Sequence, residues 1–192
     1  MSNTSVNLPT RKTPKGDNKM RDKKVLYLVH AAMIAAIYIV LTALAASFNL
    51  ASGAIQVRFS EALTVLPFFT PAAIPGLAIG CFISNILTGC AVPDIIFGTI
   101  ATIIGAVGTY MLKNNRFLCT IPPVVSNAII VPFVLRYAYG MTDAIPFLML
   151  TVGIGEVIAC MIFGQIVITA LLPIKHIIFE PSDISVKKKE NA

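Results

Sequence analysis

The sequence predicts an all-α integral membrane protein with six membrane-spanning helices. Of its 192 residues 56% are hydrophobic and 12% are charged, and the mean hydropathy is +0.82, whereas soluble domains carry about 25% charged residues. The apolar residues form continuous blocks rich in Ala, Leu and Ile, which favours helices over the alternating pattern of a transmembrane β-barrel. This composition excludes a soluble enzyme, a nucleic-acid-binding module and a disulfide-stapled secreted domain.

The apolar blocks follow one another along the chain, and one block is ambiguous in length. Val25–Phe48 is the first span, since a membrane helix needs about 20 apolar residues, and a polar loop at 49–54 follows it. Ile55–Leu87 has 33 residues and three prolines, which is too long for one span and short for two. The remaining spans are predicted at Asp94–Leu112, Phe117–Leu135 and Ala144–Leu172.

The distribution of charge indicates how often the ambiguous block crosses. The net charge of +6 lies in the tails, with +5 on residues 1–24 and +1 on 175–192. Cytoplasmic loops carry the excess of Lys and Arg, so the N-terminal tail and the Lys113–Arg116 loop belong on one side, which requires an even number of crossings. The block therefore crosses twice, with the second span at about 54–70 and a turn near Thr70–Pro71.

Six spans with both termini in the cytoplasm divide the chain into three parts. We expect a disordered basic cytoplasmic tail at 1–24, a six-helix membrane domain at 25–173 and a cytoplasmic tail at 174–192. The tails face anionic lipid at the inner surface of the membrane rather than nucleic acid. A five-span chain would place the C-terminal lysines outside, against the positive-inside rule.

A few polar side chains lie inside the predicted spans, where ionisable groups are costly and usually functional. They come from five spans, and all lie between the outer surface and the midplane. This predicts a pocket that opens to the outside and binds a small ligand rich in hydrogen-bond donors. The candidate ligand-binding residues are Arg58, Glu61, Asn85, Asp94, Asn127 and Glu156.

Structural alternatives exist for four of these residues. Arg58 and Glu61 are three residues apart and could neutralise each other on one helix face. Asp94 could cap the N-terminus of its helix. Glu156 could be a neutral, hydrogen-bonded structural acid, but it has no basic residue in its own span and is therefore the strongest functional signal in the chain.

Small residues on the first span predict a close helix–helix contact. Ala31/Ala35 and Ala32/Ala36 form two overlapping AxxxA steps, which let another helix approach closely, either within the bundle or from a partner. The four cysteines have no CxxC spacing and are interpreted as packing residues, so no metal is expected. No Walker A, HExxH or GxSxG motif is present, so we expect neither an ATPase nor an enzyme.

Four segments of the sequence resemble one known family. They read QVRFSEALTVLPFFTPAAIPGL at 56–77, DIIFGT at 94–99, PVVSN at 123–127, and Gly155-Glu156. Across about 25–173 the chain resembles the QueT family, the substrate-binding S components of energy-coupling-factor (ECF) transporters. The resemblance implies a six-helix S-component bundle that takes up a queuosine precursor, a 7-substituted 7-deazaguanine.

The same resemblance implies partners. A transmembrane coupling subunit (T component) would carry two cytoplasmic ATPase subunits, which use ATP, so no cofactor is expected in this chain. The alanine-rich first span would contact the coupling subunit, above all through Ala32 and Ala36. The loop at about 49–55 is expected to cover the pocket.

The chemistry of the base then suggests roles for the candidate residues. One carboxylate can accept the ring N–H and the exocyclic amine together, and Glu156 is the expected acceptor. Asn127 or Arg58 would donate to the base carbonyl, and Glu61 or Asp94 would pair with a cationic aminomethyl substituent.

Three other functions stay open at this point. One is a solitary proton-coupled transporter with Glu156 as the proton carrier. Another is an S component for a different vitamin. The third is a membrane enzyme acting on lipid, for which the sequence shows no metal partner or nucleophile.

Overall fold

A computed structural model describes residues 15–48 and 58–179, and this part of the chain is helical throughout, without strands. The main helices lie in one bundle and include a 3₁₀ segment and a π-helical segment. In chain order they are α1 (Lys15–Ser47), a 3₁₀ helix (Phe59–Phe68), α2 (Ala73–Leu87), α3 (Val92–Met111), α4 (Ile121–Tyr137), α5 (Ile145–Glu156), a π-helix (Val157–Phe163) and α6 (Gly164–Leu171).

Shorter helical pieces complete the described chain. A 3₁₀ turn, Leu118–Thr120, precedes α4, and a second one, Leu172–Ile174, leads into the one-turn helix α7 at Lys175–Ile178. The predicted lid loop at 49–55 and most of the C-terminal tail lie outside the described residues. Residues 15–24, which were expected to belong to a disordered tail, form the start of α1.

Within residues 15–48 and 58–179, four helical stretches are long and apolar enough to cross a bilayer, which fits a multi-pass membrane protein. They are Lys23–Ser47, Val92–Met111, Leu118–Tyr137 and Ile145–Ile178. Two further apolar helices, Phe59–Phe68 and Ala73–Leu87, are shorter. The count of six spans and the cytoplasmic position of both termini stay predictions.

The predicted second span differs most from expectation, because its described part is a 10-residue 3₁₀ helix. At a rise of about 2.0 Å per residue this helix extends about 20 Å, less than the ~30 Å of a bilayer core. Pro67 lies inside it and supplies no backbone N–H. Residues 60–67 are all buried, so neighbouring helices, rather than lipid, surround this irregular backbone.

Glycines let α1 and α2 pack closely. A Cβ atom on Gly76 would lie 2.7 Å from the Ala31 carbonyl oxygen, and one on Gly80 would lie 3.1 Å from the Ala35 Cα atom. Ala31 and Ala35 are only 6% and 7% exposed. This AxxxA step therefore packs inside the bundle, as a small-residue helix contact does.

The second AxxxA step faces outward, since Ala32 and Ala36 are exposed. They lie among exposed apolar side chains of α1, including Met33, Ile37 and Val40. The expectation that all four alanines contact a partner is therefore corrected for Ala31 and Ala35, which α2 covers. For Ala32 and Ala36 it stays a prediction.

Candidate functional site

Five of the described helical segments bring polar side chains together in the interior of the bundle. We call the residues Tyr38, Glu61, Asn127, Glu156 and Cys160 the inner cluster; all five are buried. They come from α1, the 3₁₀ helix, α4, the end of α5 and the π-helix. Segments far apart in the sequence thus surround two carboxyl groups with hydrogen-bond donors.

Glu61 is held at the centre of the inner cluster. The Tyr38 hydroxyl donates to its Oε1 at 2.5 Å, and Asn127 Nδ2 donates to its Oε2 at 3.4 Å. The side chain is 2% exposed. Hydrogen bonds to a buried carboxyl group fix its orientation and offset the loss of hydration.

Glu156 lies beside Glu61 at the junction of α5 and the π-helix. The Cys160 thiol donates to Glu156 Oε2 at 3.3 Å and to the Glu61 carbonyl oxygen at 3.5 Å. One ligating atom from each of these three residues lies within 4.8 Å of the others. The π-helix, a feature common at functional sites, therefore begins where the two carboxyl groups meet.

A second group, the outer cluster, consists of Arg58, Asn85, Asp94 and Tyr139. Arg58 Nη2 lies 3.7 Å from Asp94 Oδ2, and the Tyr139 hydroxyl donates to the same oxygen at 2.9 Å. Asn85 Nδ2 is 3.5 Å from the Asp94 carbonyl oxygen. Partial burial, together with the hydrogen-bonded Asp94 carboxylate, raises the pKa of Tyr139 well above its usual range, so its hydroxyl stays a donor.

These contacts correct two of the structural alternatives. The partner of Arg58 is Asp94, rather than Glu61 three residues away. Asp94 does not cap α3, because the capping position is Ala91, where no side-chain cap bond forms. Asp94 instead uses its carboxylate to hold two side chains from other parts of the chain.

The two clusters adjoin through the start of the 3₁₀ helix. Glu61 donates its backbone N–H to the Arg58 carbonyl oxygen at 3.0 Å, so one helical turn separates the residues. Arg58 is engaged by Asp94, and no cationic side chain in the described ranges forms a salt bridge with Glu61 or Glu156. Among the described residues, the inner cluster therefore has two carboxyl groups and no cation in direct contact with them.

Each of the six candidate residues lies in one of the two clusters, and five further residues were not predicted. Tyr38 interrupts an apolar span, which was an available signal. Cys160 had the i, i+4 spacing from Glu156 that places two side chains on one helix face. The contributions of the others depend on tertiary packing. The five are Tyr38, Tyr139 and Cys160 in the two clusters, Gly98 beside Asp94 and Asn85, and Ser60, whose buried hydroxyl oxygen has no hydrogen-bond partner among the described residues.

Apolar grooves lie elsewhere, along α3 and α4. One of about 500 Å³ is lined by Phe97, Ile129 and Phe133, among others. A second, of about 640 Å³, lies further along the same helices, between Ile104 and Val125. Since they lack charged side chains, these grooves suit lipid chains rather than a polar ligand.

Comparison with known proteins agrees with the composition and the fold. The chain is 36% identical over 85 residues to the "Queuosine precursor transporter QueT" of Lactococcus lactis subsp. cremoris (strain MG1363), which covers 44% of this chain. The aligned region spans half the length of that relative. No solved structure matches the chain. Residues 28–173, most of the helical bundle, match the QueT transporter family, and the chain therefore belongs to this family.

Proposed function

We propose that the chain is the substrate-specific membrane component of an ECF-type ABC importer and binds a queuosine precursor, a 7-deazaguanine base, from the outside. Membership of a transporter family makes the chain a transport protein rather than an enzyme. The name of the Lactococcus relative supports the class of substrate. Delivery would use a transmembrane coupling subunit and two ATPase subunits, while this chain supplies recognition.

One observation carries the assignment of the site: Glu61 and Glu156 lie together, buried, and without a salt-bridged cation in the described part of the chain. Buried charges require a partner. A cationic aminomethyl group would supply one, and its ammonium donors could reach both carboxylates in charge-assisted hydrogen bonds.

This geometry suggests a role for Glu156 different from the one its sequence position predicted. Without a neighbouring acid, the Glu156 carboxylate would accept hydrogen bonds from the ring N–H and the exocyclic amine of the base. Next to Glu61 it forms a paired acceptor, which suits an ammonium group better than a neutral edge. Asn127, which already donates to Glu61, would keep the pair oriented while the ligand binds.

Equilibrium binding to the purified protein tests this proposal. The wild type should bind the aminomethyl precursor at least about tenfold more tightly than the neutral cyano precursor, a difference of about 1.4 kcal/mol. Glu156→Gln should remove this preference, because only one acid then faces the ammonium group. Asp143→Asn, which alters an exposed acid in the loop before α5, is the matched control and should bind like the wild type.

Two results would contradict the proposal. If the folded wild-type protein bound neither precursor, the assignment of a queuosine precursor as the substrate would be wrong. Equal preference in the wild type and in Glu156→Gln would overturn the role of the carboxyl pair while leaving the substrate class intact.

The coupling subunit would meet the outward face of α1. Ala32 and Ala36 are exposed there, and small residues let a second helix approach closely in a membrane. This face is separate from the inner cluster, since Ala31 and Ala35 on the neighbouring face of α1 pack against α2. Recognition and coupling would thus use different faces of one helix.

A further inference from the structure

We propose that Asp94 Oδ1 and Asn85 Nδ2 form a subsite that reads the lactam edge of the base, and that Gly98 determines its specificity by leaving this edge room to approach. This inference rests on the proposed function and deepens it. The inner cluster would bind the substituent, and the outer cluster would identify the base itself.

The subsite is defined by the missing side chain of Gly98. A Cβ atom built on this glycine would lie 3.2 Å from Asp94 Oδ1 and 3.3 Å from Asn85 Nδ2. Apart from the two residues that flank Gly98 in the chain and the local backbone of α3, no other described heavy atom is found within 4 Å of that point. Gly98 is buried. An acceptor and a donor therefore border the same small interior space.

Asp94 Oδ1 is the atom that points to a ligand. The residue is 3% exposed, and its Oδ2 is occupied by Arg58 and Tyr139. Oδ1 is buried and has no hydrogen-bond partner in the described structure. Because buried polar atoms are nearly always hydrogen-bonded, a ligand N–H donated to Oδ1 would account for this one.

Asn85 Nδ2 supplies the complementary donor. Its hydrogen bonds are long, at 3.7 Å to Cys81 Sγ and 3.5 Å to the Asp94 carbonyl oxygen. N–H···O bonds are usually about 2.9–3.0 Å, so the amide retains donor capacity for a stronger acceptor. The Asn85 side chain is 3% exposed and its position is fixed by the surrounding helices.

An adjacent acceptor and donor match one type of base edge. A lactam such as that of 7-deazaguanine presents a ring N–H next to a carbonyl oxygen, which pair with Oδ1 and Nδ2 respectively. 7-Deazaadenine presents a ring acceptor next to an amine, so both contacts would be opposed. Leaving buried groups unpaired in this way is the basis of strong discrimination between similar ligands.

The test measures the affinities of purified variants for 7-deazaguanine and 7-deazaadenine. The wild type should favour 7-deazaguanine by at least about 100-fold, which corresponds to two unpaired contacts at about tenfold each. Gly98→Ala should lower the affinity for 7-deazaguanine at least about tenfold and reduce the preference over 7-deazaadenine. The added methyl group would occupy the space through which the edge of the base reaches Asp94 and Asn85. Asn85→Leu, which removes the donor at similar volume, should reduce the preference as well.

Gly153→Ala is the matched control. Its Cβ atom would lie 3.7 Å from Ala128 Cβ, an ordinary contact, with no other described atom within 4 Å. It should therefore leave affinity and preference unchanged. Equal melting temperatures of the Gly98→Ala variant and the wild type would show that its loss of binding is local.

The possible outcomes separate this inference from the proposed function. If Gly98→Ala keeps wild-type affinity, or loses affinity equally for both bases, the proposed subsite is wrong. The proposal that the chain binds the precursor would not be affected by that result. If the wild type binds 7-deazaguanine no better than 7-deazaadenine, the lactam reading is wrong. If it binds neither base nor either substituted precursor, the proposed function fails as well.

Discussion

At the scale of single residues, the hydroxyl of Tyr38 and the carboxyl group of Glu61 form the central contact of the bundle. Tyr38 is 1% exposed and its hydroxyl donates to Glu61 Oε1 at 2.5 Å. It is also part of the main apolar core, with Leu63, Leu66 and Leu77. One side chain thus packs the core and orients the acid in the candidate site.

Tyr38→Phe should lower the free energy of unfolding by about 1.5–3 kcal/mol, because it removes a hydrogen bond to a buried charged group. It should also weaken precursor binding, since Glu61 loses one of its two donors. Denaturant titration in detergent micelles measures the first effect and equilibrium binding the second. Tyr137→Phe, at a side chain that is 77% exposed, is the control, and a loss of similar size there would contradict the prediction.

The identities of the polar residues were predictable from the sequence, whereas most of their pairings were not. Polar groups are rare enough in the apolar blocks that Glu61, Asp94 and Glu156 stood out. Arg58 instead pairs with Asp94, 36 positions along the chain, because the helix packing brings them together. Periodicity describes neighbours within one helix, and it carries no information about such distant contacts.

At the scale of elements, the close packing of α1 on α2 places Tyr38 over the site. A Cβ atom on Gly80 would lie 2.8 Å from Tyr38 Cβ, closer than packed carbon atoms approach. The glycine thus allows the helices to meet at the level of the inner cluster. Gly76 and Gly80 thus form a small-residue seam on α2 that packs against α1 inside the bundle.

Gly80→Ala should destabilise the bundle by about 1–3 kcal/mol, the usual range for overpacking a well-packed interior. It should also weaken binding, because Tyr38 must move away from Glu61. Unfolding titrations and binding measured on the same preparation check both effects. Gly153→Ala again serves as the control; unchanged stability and binding in Gly80→Ala would show that the contact is looser than described.

Leucine substitutions on α1 should separate folding from partner binding. Ala32→Leu and Ala36→Leu add bulk to an exposed face, so precursor binding should persist while association with the coupling subunit falls at least about tenfold. Ala31→Leu should instead destabilise the protein, because Ala31 is buried against α2. Co-purification with the coupling subunit measures association.

Ala170→Leu is the control for these variants, since it adds the same bulk to an exposed position on α6. It should bind both the precursor and the coupling subunit like the wild type. If Ala32→Leu and Ala36→Leu associated with the coupling subunit as strongly as the wild type, the prediction that this face of α1 is the docking surface would be wrong.

The 3₁₀ helix shows a limit of predicting secondary structure from hydropathy. The length and apolarity of the second block indicated membrane-embedded chain, and residues 60–67 of its 3₁₀ helix are buried. Hydropathy cannot distinguish a lipid-facing α-helix from a 3₁₀ segment enclosed by protein, because both are apolar. The prolines were the available signal, since an interior proline removes a backbone hydrogen bond and kinks or breaks an α-helix.

At the scale of the whole molecule, an apolar exterior surrounds a small polar interior. Large hydrophobic side chains such as Leu28, Ile104 and Ile166 are exposed, as expected for contact with lipid. The carboxyl groups of Glu61, Asp94 and Glu156 are buried inside. The composition of the chain predicted this arrangement well, because scarce charge in a long apolar chain must lie in tails or in an interior site.

Uptake by the chain should require its partners. Proteoliposomes containing the chain, the coupling subunit and both ATPases should accumulate labelled precursor when ATP is supplied, and the chain alone should not do so under a pH gradient. The close carboxyl pair of Glu61 and Glu156 is the feature that favours the proton-coupled alternative. Accumulation by the chain alone, driven by the gradient, would establish that alternative.

The most direct test of the central claim is native mass spectrometry of the purified chain after incubation with the aminomethyl precursor. The account predicts one bound precursor per chain in the wild type and at least about tenfold weaker binding in a folded Glu61→Gln/Glu156→Gln double variant, because the paired acceptor is gone. A precursor concentration that just fills the wild type should therefore leave most of the double variant empty. A wild-type protein that carries no adduct at saturating precursor, or a double variant that carries as much as the wild type, would contradict it.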